Sequence, residues 1–236
     1  MESQLLLRVR DLSRKLGGQS VLSAVNFAVK QGIIVGVIGP NGAGKTTLLE
    51  CVTGLQPHQG VVEFHGTVVP AKLRHAHVFY QPDQVLPYPD HGVYSTLQFF
   101  RTMFSVGQAR LDELIDRLKL EAVLTKASKE LSRGYQKRLL IAIGLLSTSP
   151  LLLLDEPFEG LDIKQTKEVV SILQDEKEKG RTLILSIHQI VDAQRIADEF
   201  LLLCQGKDLG SGTLEQLQEQ SGLASGSLED VFVALT

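Results

Sequence analysis

Residues 39–46 read GPNGAGKT, and the glycines, the lysine and the threonine have the spacing of a loop that binds phosphate groups. The apolar run IIVGVI precedes the loop and KTTLLECV follows it, which predicts a strand before the loop and a helix after it. Because glycines allow successive main-chain N–H groups to turn inward, such a loop surrounds phosphate oxygens, and the helix N-terminus adds partial positive charge. The alternative, a glycine-rich turn without a ligand, is disfavoured by this complete context.

The side chains of this loop have separate expected roles. Lys45 is expected to reach the β and γ phosphates of a nucleotide, and the Thr46 hydroxyl can bind Mg²⁺. Thr47 can donate a hydrogen bond to a nearer phosphate. The predicted cofactor-binding residues of the loop are Gly39, Pro40, Asn41, Gly42, Ala43, Gly44, Lys45, Thr46 and Thr47.

A pair of acids ends the apolar run LLLLDEP, residues 151–157. An apolar strand that ends in an acid suits a Mg²⁺ site at the carboxyl edge of a sheet, so Asp155 is expected to hold the metal. Glu156 points elsewhere and can orient or deprotonate a water molecule. A solvated pair of acids is the alternative, and the phosphate loop favours the metal site over it.

A second possible phosphate site is LSRGYQKR, residues 131–138. Ser132 can cap a helix that begins here, and Gly134 allows close approach of the main chain. Lys137 and Arg138 bring positive charge. A helix N-terminus without any phosphate partner is the alternative.

The elements that must position these residues follow from the hydrophobic pattern. LLLRV, SVLSAVNFAV, GVVEF and TVV read as strands near the N-terminus, HAHVFY as a strand that ends at Gln81, and LLLL, TLILSI and EFLLLC as buried strands separated by helices. Between about residues 93 and 148 the period is helical, with Leu111, Leu114, Ile115 and Leu118 on one helix face. The pattern predicts an α/β fold, with a parallel sheet and an inserted helical segment.

Composition excludes several classes of protein. The chain has 236 residues, 43% of them hydrophobic, and a net charge of −3, which argues against a protein that binds nucleic acid through a broad basic face. Cys51 and Cys204 lie in apolar runs and are expected to be buried free thiols, with a disulfide as the alternative. Glu2 and the short apolar run after it argue against a signal peptide. The longest apolar region, 139–154, is too broken to span a membrane, so another chain would have to cross it.

In their order along the chain, these motifs resemble those of the ATP-binding cassette (ABC) ATPases. The resemblance covers nearly the whole chain and is highly specific. The matching segments are GPNGAGKT for the Walker A loop, Gln81 for the Q-loop, LSRGYQKR for the signature, LLLLDEP for Walker B, EGLD at 159–162 for the D-loop and His188 in LILSIHQ for the switch histidine.

The family implies a fold and a domain organisation. It implies a P-loop NTPase (RecA-like) parallel-sheet core with an N-terminal antiparallel β subdomain and an inserted α-helical subdomain. We expect one ABC ATPase domain over residues 1–236. Its expected parts are a core with the β subdomain at 1–82 and 150–212, a helical subdomain with the signature at 83–149, and C-terminal helices at 213–236.

The resemblance also implies the ligands and the chemistry. ATP and Mg²⁺ are the implied cofactors, with Thr46, Gln81 and Asp155 as the metal site. Gln81, Glu156 and His188 are the implied catalytic residues, Glu156 as the general base and His188 as a contact of the γ-phosphate. Two alternatives stay open from the residues alone: Gln81 as an ordinary polar loop residue, and His188 as a core histidine.

In this family two cassettes pair head to tail, and each signature contacts the nucleotide held by the other Walker A loop. The resemblance therefore implies a second copy of this chain as partner. Ser132 and Gly134 would bind the nucleotide of that copy, and Asp162 would link the two sites. The two phosphate loops of the chain would then serve two different sites.

Three segments depart from the family pattern. The signature has Arg133 where Gly is usual and Tyr135 where Gln is usual. The D-loop has Glu159 in place of the common Ser. Leu16 stands where the family often has an aromatic residue that stacks on adenine, and leucine lacks the π-face of such a residue. We therefore expect Leu16 to cover the base with weak discrimination between ATP and GTP.

The resemblance implies a transmembrane permease subunit as the second partner, which places the chain peripherally at the cytoplasmic face of a membrane, the inner one in a bacterium. Seven of the 13 aromatic residues suit a groove for a partner helix, with ordinary core as the alternative. They are Phe79, Tyr80, Tyr88, Tyr94, Phe99, Phe100 and Phe104. The tail SLEDVFVALT resembles that of cassettes of two-component exporters. An importer cassette, or a non-transport ABC ATPase that regulates a partner, is the alternative.

Overall fold

Two β-sheets and a layer of helices make up the part of the chain described by this computed structural model, residues 4–83 and 85–236. Glu2, used above against a signal peptide, lies outside the described residues. The strands are β1 (Leu5–Leu16), β2 (Gln19–Lys30), β3 (Ile34–Ile38), β4 (Gln59–Phe64), β5 (Thr67–Val68), β6 (Val78–Gln81), β7 (Leu151–Asp155), β8 (Thr182–Ile187), β9 (Glu199–Cys204) and β10 (Lys207–Gly212).

Helices connect most of these strands. The α-helices are α1 (Lys45–Thr53), α2 (Val93–Met103), α3 (Gln108–Arg117), α4 (Arg133–Leu146), α5 (Ile163–Glu178), α6 (Ile190–Ile196), α7 (Leu214–Ser221) and α8 (Leu228–Leu235). Short 3-10 helices cover Ala71–Ala76, Glu121–Val123 and Ser128–Glu130. None of the helices in the described ranges is long and apolar enough to cross a membrane.

The larger sheet has six strands in the order β10-β9-β3-β8-β7-β6, and all pairs except β10 with β9 are parallel. Strands β3, β7 and β8 are buried along their whole length, as their continuous apolar sequences predict. Ile38 pairs with Ile187, and Asp155 pairs with Ser186. The phosphate loop, the acids and His188 therefore follow strands that end at the same edge.

The smaller sheet is antiparallel, in the order β2-β1-β4-β5. Because side chains alternate along a strand, the parallel sheet packs against a different core on each face. Leu151 and Leu153 pack with α1 and the antiparallel sheet, whereas Leu152 and Leu154 pack with the helices inserted between β6 and β7. The predicted fold class is thus confirmed, with both the N-terminal antiparallel sheet and the helical insertion.

Several local predictions differ from the structure. The strand predicted over HAHVFY begins only at Val78, because His75 and Ala76 end a 3-10 helix. That helix is held by the buried Arg74 guanidinium, which donates to the carbonyl oxygens of Val69 and Cys51 over 3.0 and 2.7 Å.

The cysteines are free, as expected. Cys51 is buried, and burial raises the pKa of its thiol to about 11. The prediction that Cys204 is also buried is wrong, because Cys204 ends the strand β9 and is half-buried.

Candidate functional site

Two glycines shape the phosphate loop, because any other residue at either position would have to displace neighbouring atoms. A Cβ on Gly39 would lie 2.2 Å from the carbonyl oxygen of Leu203. Gly44 has φ +103°, and a Cβ there would lie 2.8 Å from Leu22 Cδ2. The loop ends at the first turn of α1, whose main-chain N–H groups are directed towards it. A phosphate group fits here, because main-chain amides lie at the start of the helix and the glycines of the loop have no side chains that would block it.

Lys45 is buried, and its ammonium lies along the loop. Lys45 Nζ donates to the carbonyl oxygens of Gly39 at 2.8 Å and of Pro40 at 3.3 Å. Within residues 4–83 and 85–236, no carboxylate forms an ion pair with this ammonium. A buried cation that is held only by carbonyl oxygens is well suited to receive an anion.

Asp155, at the end of β7, accepts hydrogen bonds from hydroxyl groups of three elements. Thr46 Oγ1 donates to Asp155 Oδ2 over 2.8 Å, Tyr80 OH donates to the same oxygen over 3.2 Å, and Ser186 Oγ bonds Asp155 Oδ1. Burial and the Asp155 charge raise the pKa of Tyr80, so its hydroxyl remains a donor. A buried carboxylate beside a threonine hydroxyl offers the oxygen ligands that Mg²⁺ prefers.

Gln81 ends β6, the strand beside β7, and is buried. Its Nε2 donates to the carbonyl oxygen of Pro82 over 3.3 Å. This places an amide group at the same sheet edge as Asp155. Gln81 is a strand residue with only 7% exposure, and its role at the site stays a prediction.

Glu156 follows Asp155 with a main chain in the left-handed region, φ +48°. Its N–H donates to Ser186 Oγ over 2.9 Å, and its carbonyl oxygen accepts from Lys137 Nζ over 2.8 Å. Burial, together with the hydrogen bond and negative charge of Glu159, raises the pKa of the Glu156 carboxyl to about 7, although the Lys45 charge opposes the shift. A carboxyl group with this pKa can accept a proton near neutral pH.

A cavity of about 210 Å³ brings together two of the three predicted catalytic residues, Glu156 and His188, whereas Gln81 is not among the described residues that line it. Its lining includes Asn41 of the phosphate loop, Glu156, Glu159 and His188. His188 follows β8 and is exposed, so the alternative of a buried core histidine is wrong. The cavity is large enough for several water molecules beside a carboxyl group.

Other predicted site residues lie apart from this cavity. Its lining, among the described residues, includes none of Leu16, Ser132, Gly134 and Asp162. Leu16 ends β1 and is 43% exposed. Asp162 caps α5, where its Oδ1 accepts from the N–H of Gln165 over 2.8 Å.

The signature segment begins α4, but Ser132 does not cap this helix with its side chain, contrary to the prediction. The Ser132 side chain is exposed, so water can satisfy the N–H groups of the first turn. Gly134 lies against the D-loop, because a Cβ there would be 3.0 Å from Gln165 Oε1 and 3.5 Å from the Gly160 carbonyl oxygen. The signature and the D-loop therefore form one surface.

Three residues of the site were missed in the sequence: Tyr80, Lys137 and Ser186. Ser186 is the polar residue within the buried strand TLILSI, and Tyr80 precedes Gln81 in the strand VFYQ. For Ser186 and Tyr80 the sequence offers one signal, a hydroxyl group within a buried strand, since a buried polar group needs a hydrogen-bond partner. From the sequence, Lys137 offers only a positive charge.

Comparisons with known proteins show the family of the chain. A family model described as ABC transporter matches residues 22–159. The ABC-type transporter ATP-binding protein EcsA of Bacillus subtilis is 30% identical over 239 residues, which cover 98% of this chain and 96% of that protein. The Nod factor export ATP-binding protein I of Ralstonia nicotianae is 31% identical over 222 residues, which cover 90% of this chain and 68% of that protein.

A solved structure of the ATP-binding subunit of an ABC transporter superposes with a TM-score of 0.87, at 30% identity. The superposition covers 98% of this chain and 99% of the other. A family match over more than half of the sequence and a shared fold over nearly all of it lead to one conclusion. This chain belongs to the family of ABC transporter ATP-binding proteins.

Proposed function

We propose that this chain hydrolyses ATP to ADP and phosphate as the nucleotide-binding subunit of an ABC transporter, and that it powers a separate membrane subunit in export. The observation that carries the proposal is the 210 Å³ cavity that Asn41, Glu156 and His188 line together. It places a carboxyl group with a pKa of about 7 beside the phosphate loop.

Residues 39–47 and the Lys45 ammonium bind the phosphates of ATP in this proposal. Thr46, Asp155 and Gln81 would hold Mg²⁺, which when bound neutralises negative charge on the phosphates. The supporting observation is the 2.8 Å hydrogen bond from Thr46 to Asp155, which places a hydroxyl and a carboxylate side by side. Leu16 covers the adenine base.

Glu156 acts as the general base. Its carboxyl group accepts a proton from a water molecule in the cavity while that water attacks the γ-phosphate. In this proposal His188 contacts the γ-phosphate and helps to hold Glu156 in place. Gln81 joins the catalytic set from the neighbouring strand.

A second copy of the chain completes each site. Support comes from the exposure of Ser132 and from the surface that Gly134 forms with the D-loop. Neither Ser132 nor Gly134 is among the described residues that line the cavity of the same chain. In a head-to-tail pair, the N-terminus of the 14-residue helix α4 faces the phosphates of the other copy, where its partial positive charge is favourable. Asp162 links the two sites.

We also propose the domain organisation given above, with a core at 1–82 and 150–212, a helical subdomain at 83–149 and C-terminal helices at 213–236. A transmembrane permease docks on the helical subdomain, at the cytoplasmic face of the membrane. Tyr88, Tyr94 and Phe99 support this docking surface because all three are more than 40% exposed. Ring contacts connect Tyr88 through Phe99, Phe100 and Phe104 to Phe79 in β6.

Export is the favoured direction for two reasons. One relative carries export in its name, the Nod factor export ATP-binding protein I. The second reason is the resemblance of SLEDVFVALT to the tail of exporter cassettes, and this segment contains the helix α8.

The test of hydrolysis compares the wild type with Glu156→Gln. We expect the wild type to release phosphate from ATP, and the variant to lose this activity while its ATP-bound dimer persists in gel filtration. Normal turnover by the variant would remove Glu156 as the base. Purification of membrane complexes with the tagged chain tests the partner: a permease without its own ATPase supports export, and a solute-binding protein in the complex points to import.

A further inference from the structure

Lys137 joins three segments of the candidate site through one ammonium group. Its Nζ donates to Asp83 Oδ1 over 2.6 Å and to the carbonyl oxygen of Glu156 over 2.8 Å. Asp83 comes two residues after Gln81, and Lys137 lies in α4, three residues after Gly134. The helix that begins with the signature, the segment after β6 and the proposed base thus meet at this ammonium.

The burial of Lys137 makes this contact specific. Its side chain is 8% exposed, and a buried ammonium is costly unless charged and polar partners surround it. Here one partner is a carboxylate and the other is a main-chain carbonyl that belongs to no helix or strand. Lysine ion pairs elsewhere in the helical insertion are exposed, such as Lys129 with Asp90.

Glu156 needs such support because of its own conformation. A φ of +48° is unfavourable for a residue with a side chain, and it persists only where neighbouring groups enforce it. Ser186 holds the N–H of Glu156 and Lys137 holds its carbonyl oxygen. The direction of the Glu156 carboxyl group therefore depends on two side chains from other elements, β8 and α4.

We propose that Lys137 is a positioning residue for Glu156: it fixes the main chain of the base, and it ties that main chain to the signature helix and to the segment after Gln81. The inference rests on the proposed function. Since Lys137 and Gly134 belong to the same helix, a displacement of α4 moves the Glu156 carbonyl group directly. Contact of the signature with a nucleotide would then change the position of Glu156, the proposed general base, in the same chain.

The experiment compares Lys137→Met with the matched control Lys129→Met, which removes an exposed lysine–aspartate pair from the same region. Both are made in the full-length chain, beside the wild type and Glu156→Gln. Phosphate release gives kcat, a fluorescent ATP analogue gives the nucleotide Kd, gel filtration with ATP gives the dimer fraction, and thermal unfolding gives Tm.

We expect kcat of Lys137→Met to fall by about 10-fold or more, because a small misplacement of a catalytic group is enough for such a loss. The Kd should stay within about threefold, since nucleotide binding does not use this contact. ATP-bound dimers should accumulate as in Glu156→Gln. A merely structural role would weaken binding, dimer formation and kcat together, and that result would overturn the inference. Lys129→Met should match the wild type in every measurement.

Lys137→Gln keeps an amide donor without the charge and decides the question if the methionine variant does not fold. A kcat between those of wild type and Glu156→Gln, with an unchanged Kd, supports the inference, and a wild-type kcat overturns it. A folded Lys137→Met variant with the kcat of the wild type also overturns the inference. A wild-type chain without ATPase activity would overturn the proposed function and the inference with it, so the two failures are distinguishable.

Discussion

Thr46 donates a hydrogen bond to Asp155 over 2.8 Å, and this contact connects the phosphate loop to the strand β7. The two residues are far apart in sequence: Thr46 lies in the first turn of α1, and Asp155 ends β7. Since α1 and β7 are both buried against the same core, packing holds the hydroxyl and the carboxylate at this spacing. Two of the proposed metal ligands therefore lie side by side.

Lys45→Ala is expected to weaken nucleotide binding. The variant removes a buried cation whose partners are main-chain carbonyl groups. Loss of a charged contact to phosphate should weaken the affinity by about 10- to 100-fold. Equilibrium titration with a fluorescent ATP analogue measures this, and Lys164→Ala, an exposed lysine of α5, serves as the control. Equal affinity in both variants would show that Lys45 is outside the site.

Ser186→Ala should reduce both activity and stability. Ser186 bonds the Asp155 carboxylate and the N–H of Glu156, so the variant leaves two groups without this partner. We expect kcat to fall by about 10-fold, and the free energy of unfolding to fall by about 1–3 kcal/mol. Phosphate release and urea unfolding measure the two effects. The exposed Ser171→Ala is the control, and a variant equal to it would contradict the prediction.

The pKa of Glu156 predicts how Glu156→Gln changes stability with pH. The folded pKa is about 7, against an ordinary value of 4.5, so between these values the folded chain binds more protons than the unfolded chain. The wild type should therefore lose stability as the pH rises from 4.5 to 7, and the variant cannot show this loss because its amide does not titrate. Thermal unfolding in EDTA should give a larger Tm advantage of the variant at pH 8 than at pH 5. A pH-independent difference would contradict the assignment.

Glu176→Gln should destabilise the contact between α3 and α5. Glu176 is buried and pairs with Arg110 over 2.8 Å, with Lys179 over 3.0 Å and with Arg181 over 3.6 Å. Removing the carboxylate leaves the half-buried Arg181 guanidinium without its carboxylate partner, while Arg110 keeps Glu113. The loss should cost about 1–3 kcal/mol. Urea unfolding tests this against Glu178→Gln, an exposed glutamate of the same helix. Equal midpoints for the two variants would refute it.

Leu16 predicts weak discrimination between bases. It lies at the end of β1, exposed, where it pairs with Gln19 across the turn. We expect similar kcat/KM for ATP and GTP in the wild type. Leu16→Tyr should shift the preference towards one base, since base–aromatic stacking contributes about 1–3 kcal/mol. A strong ATP preference in the wild type would exclude this role of Leu16.

Much of the fold could be predicted because the apolar runs are long and the motifs are local. LLLLDEP and GPNGAGKT each carry their own context, a strand before the functional residue. The predicted strand at His75 failed since the burial of Arg74, a contact with residues distant in sequence, decides that segment. Lys137 and Ser186 could not be assigned to the site from the sequence for the same reason, because their partners lie in other elements.

The left-handed main chain of Glu156 has a consequence for the protein as a whole. Glycine would adopt φ +48° freely, whereas glutamate there gives up about 1–2 kcal/mol of folding free energy. Glutamate also brings a third acid beside Asp83 and Glu159. Glutamate at position 156 therefore lowers the free energy of unfolding of the whole chain, and in return it places one proton acceptor where the proposed reaction needs it.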